Sequence, residues 1–173
     1  MVPPHQPNIE TLTTSQTLQT KDAQAWMKEI QPVEQLLNGL FASVSPELHH
    51  AISKAMLRVG WDEPPIGSPS WAKNRIVEMA QSWLGATPAI TVISNRVTMY
   101  HLDVKGHKAW YDLLVAAGMY TACQFHVVDL NLEIKYLPRT VIVLNGGLFR
   151  HEVIKWEGGD RVCYVYWVRL TLL

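Results

Sequence analysis

The spacing of apolar residues changes at Pro88, and that change limits what the chain can build. Upstream of it, Trp26, Ile30, Val33, Leu36, Leu37 and Leu40 recur at steps of three and four, the spacing of a helix face. Pro32 cannot sit inside a continuous helix and so begins a second segment. Ser45-Pro46-Glu47-Leu48 reads as an N-cap followed by proline at the first helical position, with the helix running to Val59 before Gly60. Pro64, Pro65, Gly67 and Pro69 exclude helix from 62 to 70. Ser70 then caps another amphipathic segment through Trp71, Ile76, Met79, Trp83 and Leu84, closed by Gly85.

After Pro88 the period falls to two, and β-branched and aromatic residues dominate, as strands require. Eight short runs follow: 90–94, 98–103, 111–117, 123–128, 132–136, 140–144, 148–154 and 161–170. Pro138 and the pairs Gly146-Gly147 and Gly158-Gly159 supply turns. Eight evenly spaced strands predict a sandwich or a jelly roll, the latter being the double-stranded β-helix of cupin-like proteins, with the N-terminal helices packed on the sheet: an α+β fold. The expected organisation is a mobile arm over 1–20 and one domain over 21–173, with helical support at 21–87 and a jelly-roll core at 88–173.

At 173 residues and 48% apolar, the chain can bury one core of ordinary size. Fifteen Lys and Arg balance fifteen Asp and Glu, which excludes a strongly basic clamp, although residues 91–173 carry nine basic against seven acidic side chains. The opening lacks a charged n-region and an apolar h-region, and no stretch nears 18 uncharged apolar residues, so a soluble protein without a membrane partner is expected, intracellular and in the nucleus if it acts on DNA. Cys123 and Cys163 lack the paired spacing of a zinc ribbon and read as buried free thiols.

His101-Leu102-Asp103 lies on a predicted strand, where alternation sends both polar side chains to one face. His151 is flanked at same-face positions by Phe149 and Val153 and should point into the barrel. Arg161 heads a strand whose inward face carries Cys163, Val165 and Trp167, and an arginine facing a core needs an anion. In one sheet His151 and Arg161 would lie within ~5 Å, and in facing layers at ~10 Å; a five-carbon dicarboxylate spans the second gap. Two histidines and a carboxylate with open positions form the facial triad of non-haem Fe(II) oxygenases.

His-x-Asp, a later His and an Arg ten residues beyond it resemble the signature of the 2-oxoglutarate- and iron-dependent dioxygenases. Within them the chain is most similar to the TET/JBP group, in particular its compact fungal, transposon-associated members. The closer likeness runs over Asn95-Arg96-Val97-Thr98, Trp110-Tyr111-Asp112-Leu113-Leu114, Leu148-Phe149-Arg150-His151 and Trp156-Glu157-Gly158-Gly159-Asp160-Arg161. The resemblance implies Fe(II) on His101, Asp103 and His151, and 2-oxoglutarate on Arg161, with no catalytic side chain beyond the metal ligands. It further implies hydroxylation of a methylated nucleobase such as 5-methylcytosine in DNA or RNA, with O2 as cosubstrate and succinate and CO2 as co-products. A base in a duplex would have to be flipped out to reach the iron.

Asn95 is a candidate donor to 2-oxoglutarate, and Arg96 a candidate substrate contact. Compact members usually carry glycine where this chain has Glu152, Arg139 and Asn131; Arg139 disfavours a type II turn after Pro138 and leaves type I open, and alternation turns Glu152 outward. Trp26, Trp71 and Trp83 fit helix faces covering the sheet. A basic group of Arg96, Lys105, Lys108 and Arg150 is expected around the iron mouth. Two other readings remain: a 2-oxoglutarate hydroxylase of a small molecule or protein side chain, and a decayed jelly-roll binding domain, against which the four retained residues argue.

Overall fold

The computed structural model describes residues 16–61, 83, 85–104 and 106–168. Most of the expected arm, the proline-rich stretch at 62–70 and most of the segment opened by Ser70 lie outside these residues. Thr20 caps the first helix, α1 (Lys21–Glu29), by accepting the Ala23 amide. Ile30 joins it to α2 (Gln31–Val44), with Pro32 in the first turn, where its missing N–H leaves no intrahelical bond unmade. Helix α3 (Pro46–Trp61) starts on the predicted proline but continues through Gly60.

Nine strands follow: β1 (Ala89–Ser94), β2 (Thr98–His101), β3 (Asp112–Gly118), β4 (Ala122–Val127), β5 (Leu132–Lys135), β6 (Val141–Leu144), β7 (His151–Val153), β8 (Trp156–Glu157) and β9 (Arg161–Trp167). One sheet has the order β1-β9-β3-β6. The other has β2-β7-β4-β5, with β8 beside β4. The chain crosses between the sheets after β1, β2, β3, β5, β6 and β8, the winding of a jelly roll. Eight strands match the predicted runs, several of them shortened, and the two-residue β8 is new. Leu148 and Phe149 were expected in a strand, but their amides both donate to the Asn145 carbonyl, so a turn occupies that stretch.

Among the described residues, the helices pack on the β1-β9-β3-β6 sheet. On β3, Leu113 and Val115 join Leu37, Phe41, Leu48 and Ile52 of the helices, while Leu114 and Ala116 face the space between the sheets. Both faces are apolar, so this strand reads as a continuous run. On β4, Cys123, Phe125 and Val127 are buried, whereas Ala122 and Gln124 face solvent. Each buried aliphatic or aromatic side chain stabilises by about 1.5–3 kcal/mol, so the apolar seam outweighs any single polar contact in docking the helices. Trp26 adds a stacked contact with Tyr164. Among the described residues, no helix is long and apolar enough to cross a membrane.

The turn after Pro138 corrects the type I expectation. Thr140 donates to the Leu137 carbonyl and Arg139 has φ +73°, the left-handed third position of a type II turn. That conformation costs a non-glycine residue about 1–2 kcal/mol. Two backbone bonds offset it, Arg139 N–H to Ala116 O and Ala116 N–H to Thr140 O, both 2.8–2.9 Å. Asn131, at φ +50°, is a residue type that tolerates the same region.

Glu34 of α2 is 4% exposed and accepts a hydrogen bond from the Tyr166 hydroxyl of β9. Burial raises its carboxyl above the ordinary value, while the Tyr166 and Ala86 hydrogen bonds oppose the rise. The unfolded chain would ionise Glu34 first, so its contribution is fully present below the ordinary carboxylate value and is lost as pH rises through the folded one. Urea denaturation from about pH 4 to 7 should therefore show wild type losing stability relative to Glu34→Gln as pH increases. Parallel profiles would mean that the carboxyl ionises normally in its pocket.

Candidate metal centre and anion pocket

A bulge between Thr98 and His101 sets the first element of the site. Thr98 pairs with Val153 but His101 pairs with His151, so three steps on β2 match two on β7 and the two histidines face each other. Their rings lie 4.4 Å apart. Each Nδ1 sits on a backbone carbonyl, His101 on Met99 O at 2.9 Å and His151 on Phe149 O at 3.0 Å. A carbonyl can only accept, so each Nδ1 carries the proton and each Nε2 presents a lone pair. Burial also holds the His151 imidazole below its ordinary pKa, favouring the neutral form.

Both Nε2 atoms face the Asp103 carboxylate. His101 Nε2 lies 3.5 Å from Oδ1 and His151 Nε2 lies 3.8 Å from Oδ2. One ligand atom from each residue can be chosen so that all lie within 4.8 Å of one another. Strand alternation does not achieve this, because β2 ends at His101. A turn does: Asp103 N–H donates to Gly146 O at 2.9 Å, and Gly106 N–H donates to Asp103 O at 2.7 Å. A Cβ at Gly146 would lie 2.3 Å from Asp103 Oδ2, so only glycine leaves the carboxylate where it is. His151 is buried, but His101 and Asp103 are each about two-fifths exposed, so the cluster opens on one side.

Asp112, absent from the expected site, lines the same cavity. Its carboxyl is pushed up to about 7, by burial first and the Asp103 charge second, against a Gly146 amide that lowers it. Nothing in its spacing marks it out from other acidic residues. Two imidazole nitrogens and a carboxylate that converge on one point, with Asp112 lining the same cavity, are the donor set that suits a divalent metal.

Arg161 and His151 lie on different sheets, β9 and β7, so the facing-layer arrangement holds and the single-sheet one does not. The cavity holds about 410 Å³ and reaches both residues, within the range of about 300–1,000 Å³ for small-molecule sites. Arg161 is 3% exposed; Nη1 donates to Arg96 O at 3.2 Å, and Nε finds no hydrogen-bond partner among the described residues. A buried guanidinium with an open donor is a fitted seat for a carboxylate. The Tyr136 ring lies 5.6 Å from it, and the Tyr136 hydroxyl is 3.1 Å from Cys163 Sγ. Cys123 and Cys163 are buried free thiols. Their pKa values are raised by burial, while the Arg161 charge acts in the opposite direction.

Asn95 does not face the cavity. Its Nδ2 donates to Asp160 at 2.8 Å and its Oδ1 accepts the Arg161 amide at 2.8 Å, so both polar atoms clamp the start of β9. Its neighbour Arg96 is exposed and offers Arg161 its carbonyl. Arg150 is engaged by Asp129 through Nε at 2.8 Å and Nη2 at 2.5 Å, and Lys105 lies outside the described residues. The expected basic group thus retains exposed Arg96 and Lys108. Glu152 turns away from the cluster to pair with His126 at 2.9 Å.

Replacing His101 or Asp103 by Ala should abolish high-affinity Mn(II) binding, followed by electron paramagnetic resonance, without unfolding the chain. Gly146→Ala, which displaces the Asp103 carboxylate, should weaken binding by about 10–100-fold. Wild-type affinity in Gly146→Ala would show that this carboxylate position is irrelevant to the metal.

No family model and no curated protein sequence matches the chain. Among solved structures, it superposes on NgTET1 in complex with 5mC DNA with a TM-score of 0.65 at 15% sequence identity, over 92% of this chain. It spans 56% of that chain's length. At this identity the likeness establishes a shared, TET-like fold.

Proposed function

We propose that residues 21–173 form one Fe(II)- and 2-oxoglutarate-dependent dioxygenase domain that hydroxylates the methyl group of a modified nucleobase, with 5-methylcytosine the leading candidate. The observation that carries this reading is the pairing, in one cavity, of two Nε2 lone pairs and a carboxylate with a buried arginine whose Nε finds no partner among the described residues. His101, Asp103 and His151 would hold the iron, and Arg161 would receive the far carboxylate of 2-oxoglutarate. Iron and 2-oxoglutarate, with O2, supply C–H oxidation with succinate and CO2 as co-products. Leu114, Phe125 and Val165 give the cavity an apolar wall that limits water. The choice of a methylated base draws on the NgTET1 fold, whose structure is a complex with 5mC DNA.

Succinate formation should require Fe(II) and 2-oxoglutarate and rise with methylated, but not unmethylated, oligonucleotide. A hydroxymethylated product should be detectable by mass spectrometry. Turnover of the oligonucleotide should weaken with salt as phosphate contacts are screened. Arg161→Lys keeps the charge and loses the planar fork, so the 2-oxoglutarate requirement should rise by about tenfold or more while Mn(II) still binds. Equal stimulation by both oligonucleotides would leave a small-molecule or protein hydroxylase, a reading favoured by the Asp129 clamp on Arg150. No 2-oxoglutarate turnover under any condition would refute the oxygenase.

A further inference from the structure

Three contacts in series connect His151 on one sheet to Arg161 on the other. The His151 imidazole stacks on Phe125 with centroids 5.6 Å apart and planes at 19°. Phe125 meets Tyr136 edge-on at 5.5 Å and 66°. The Tyr136 ring in turn lies 5.6 Å from the Arg161 guanidinium. Phe125 is 1% exposed and lines the cavity, while Tyr136 is 0% exposed behind it. The Tyr136 carbonyl accepts the Tyr120 hydroxyl at 2.7 Å and its own hydroxyl meets Cys163, which fixes this ring on both sides.

These contacts make the distance from His151 to Arg161 a packed quantity. The rings cannot compress toward each other without overlap, and separating them opens a void, so the wall resists change in both directions. We infer that Phe125, backed by Tyr136, is a specificity-determining residue that sets the length of the 2-oxo diacid accepted between the metal ligands and Arg161. This rests on the function proposed above and adds the residue that measures the cosubstrate. A five-carbon diacid held at both ends would pass the Phe125 ring, which lines the same cavity as the metal ligands and Arg161. A six-carbon homologue held at both ends would have to bow, and a packed ring would resist it. In a fitted apolar site, one extra methylene is discriminated by about 10–200-fold.

The test is calorimetric titration of 2-oxoglutarate and 2-oxoadipate into the full chain loaded with Mn(II), read as the ratio of the two dissociation constants in each protein. Wild type should favour 2-oxoglutarate by about tenfold or more. Phe125→Leu should narrow that preference at least about fivefold, and Tyr136→Leu should narrow it in the same direction by removing the support behind Phe125. Tyr136→Phe keeps the ring and should leave the ratio unchanged. Phe125→Met, unbranched and better able to fill an irregular gap, provides the same comparison if the leucine variant does not fold. If wild type binds 2-oxoglutarate selectively but the Phe125 and Tyr136→Leu variants keep its ratio, the ruler is refuted and the proposed function stands. If Mn(II)-loaded wild type binds neither diacid, both fall.

Discussion

The site depends on a carboxylate held between two imidazole nitrogens by a turn too tight to admit a side chain at Gly146. Asp103 lies beyond the end of β2 and is placed by the hydrogen bond its backbone N–H donates to Gly146 O, while the β2 bulge turns His101 toward His151. Each histidine is oriented by a carbonyl it can only donate to. The backbone, more than any side-chain contact, therefore aims all three groups at one point. Such an arrangement of lone pairs is unfavourable in isolation and becomes favourable around a cation.

Placing Arg161 opposite that point is the work of the second sheet. Strand β9 is central, between β1 and β3, and it is locked to α2 by the Tyr166–Glu34 contact and to α1 by the Trp26–Tyr164 stack. Tyr164 and Tyr166 face the helices while Cys163 and Arg161 face the cavity, so one strand couples the helical layer to the anion seat. Asn95 fixes the start of β9, and the Tyr136 and Phe125 rings fill the floor between the arginine and His151. The helical layer thus contributes to the site by making a central strand rigid.

Strands and the candidate ligands were legible in the sequence for different reasons. Period-two spacing located eight strands, because most of them bury one side; the run Leu113-Leu114-Val115-Ala116 was legible through composition, since β3 is covered on both. Only part of the site was predictable. His151 and Arg161 were marked by polarity among apolar same-face neighbours, and they do reach the cavity. Asp103 was included on strand alternation, but its position comes from a turn after β2. Asn95 looked like a ligand donor and instead fastens Arg161, because a side chain one strand away in sequence gives no sign of which atoms it will meet. Gly146 was legible only as part of a turn and Asp112 only as part of a family-like stretch; their place at the site arises when the 145–147 turn packs against Asp103 and Gly106. Arg139 shows the same limit in the backbone, where ladder bonds to β3 impose a left-handed residue that local preference disfavours.

The most direct test of the metal centre is a crystal grown with Mn(II), with anomalous scattering used to locate the ion. One strong anomalous peak is expected at about 2.0–2.2 Å, the bonding distance of a first-row divalent ion, from His101 Nε2, His151 Nε2 and one Asp103 carboxylate oxygen. A peak elsewhere, with these three side chains unligated, would contradict it.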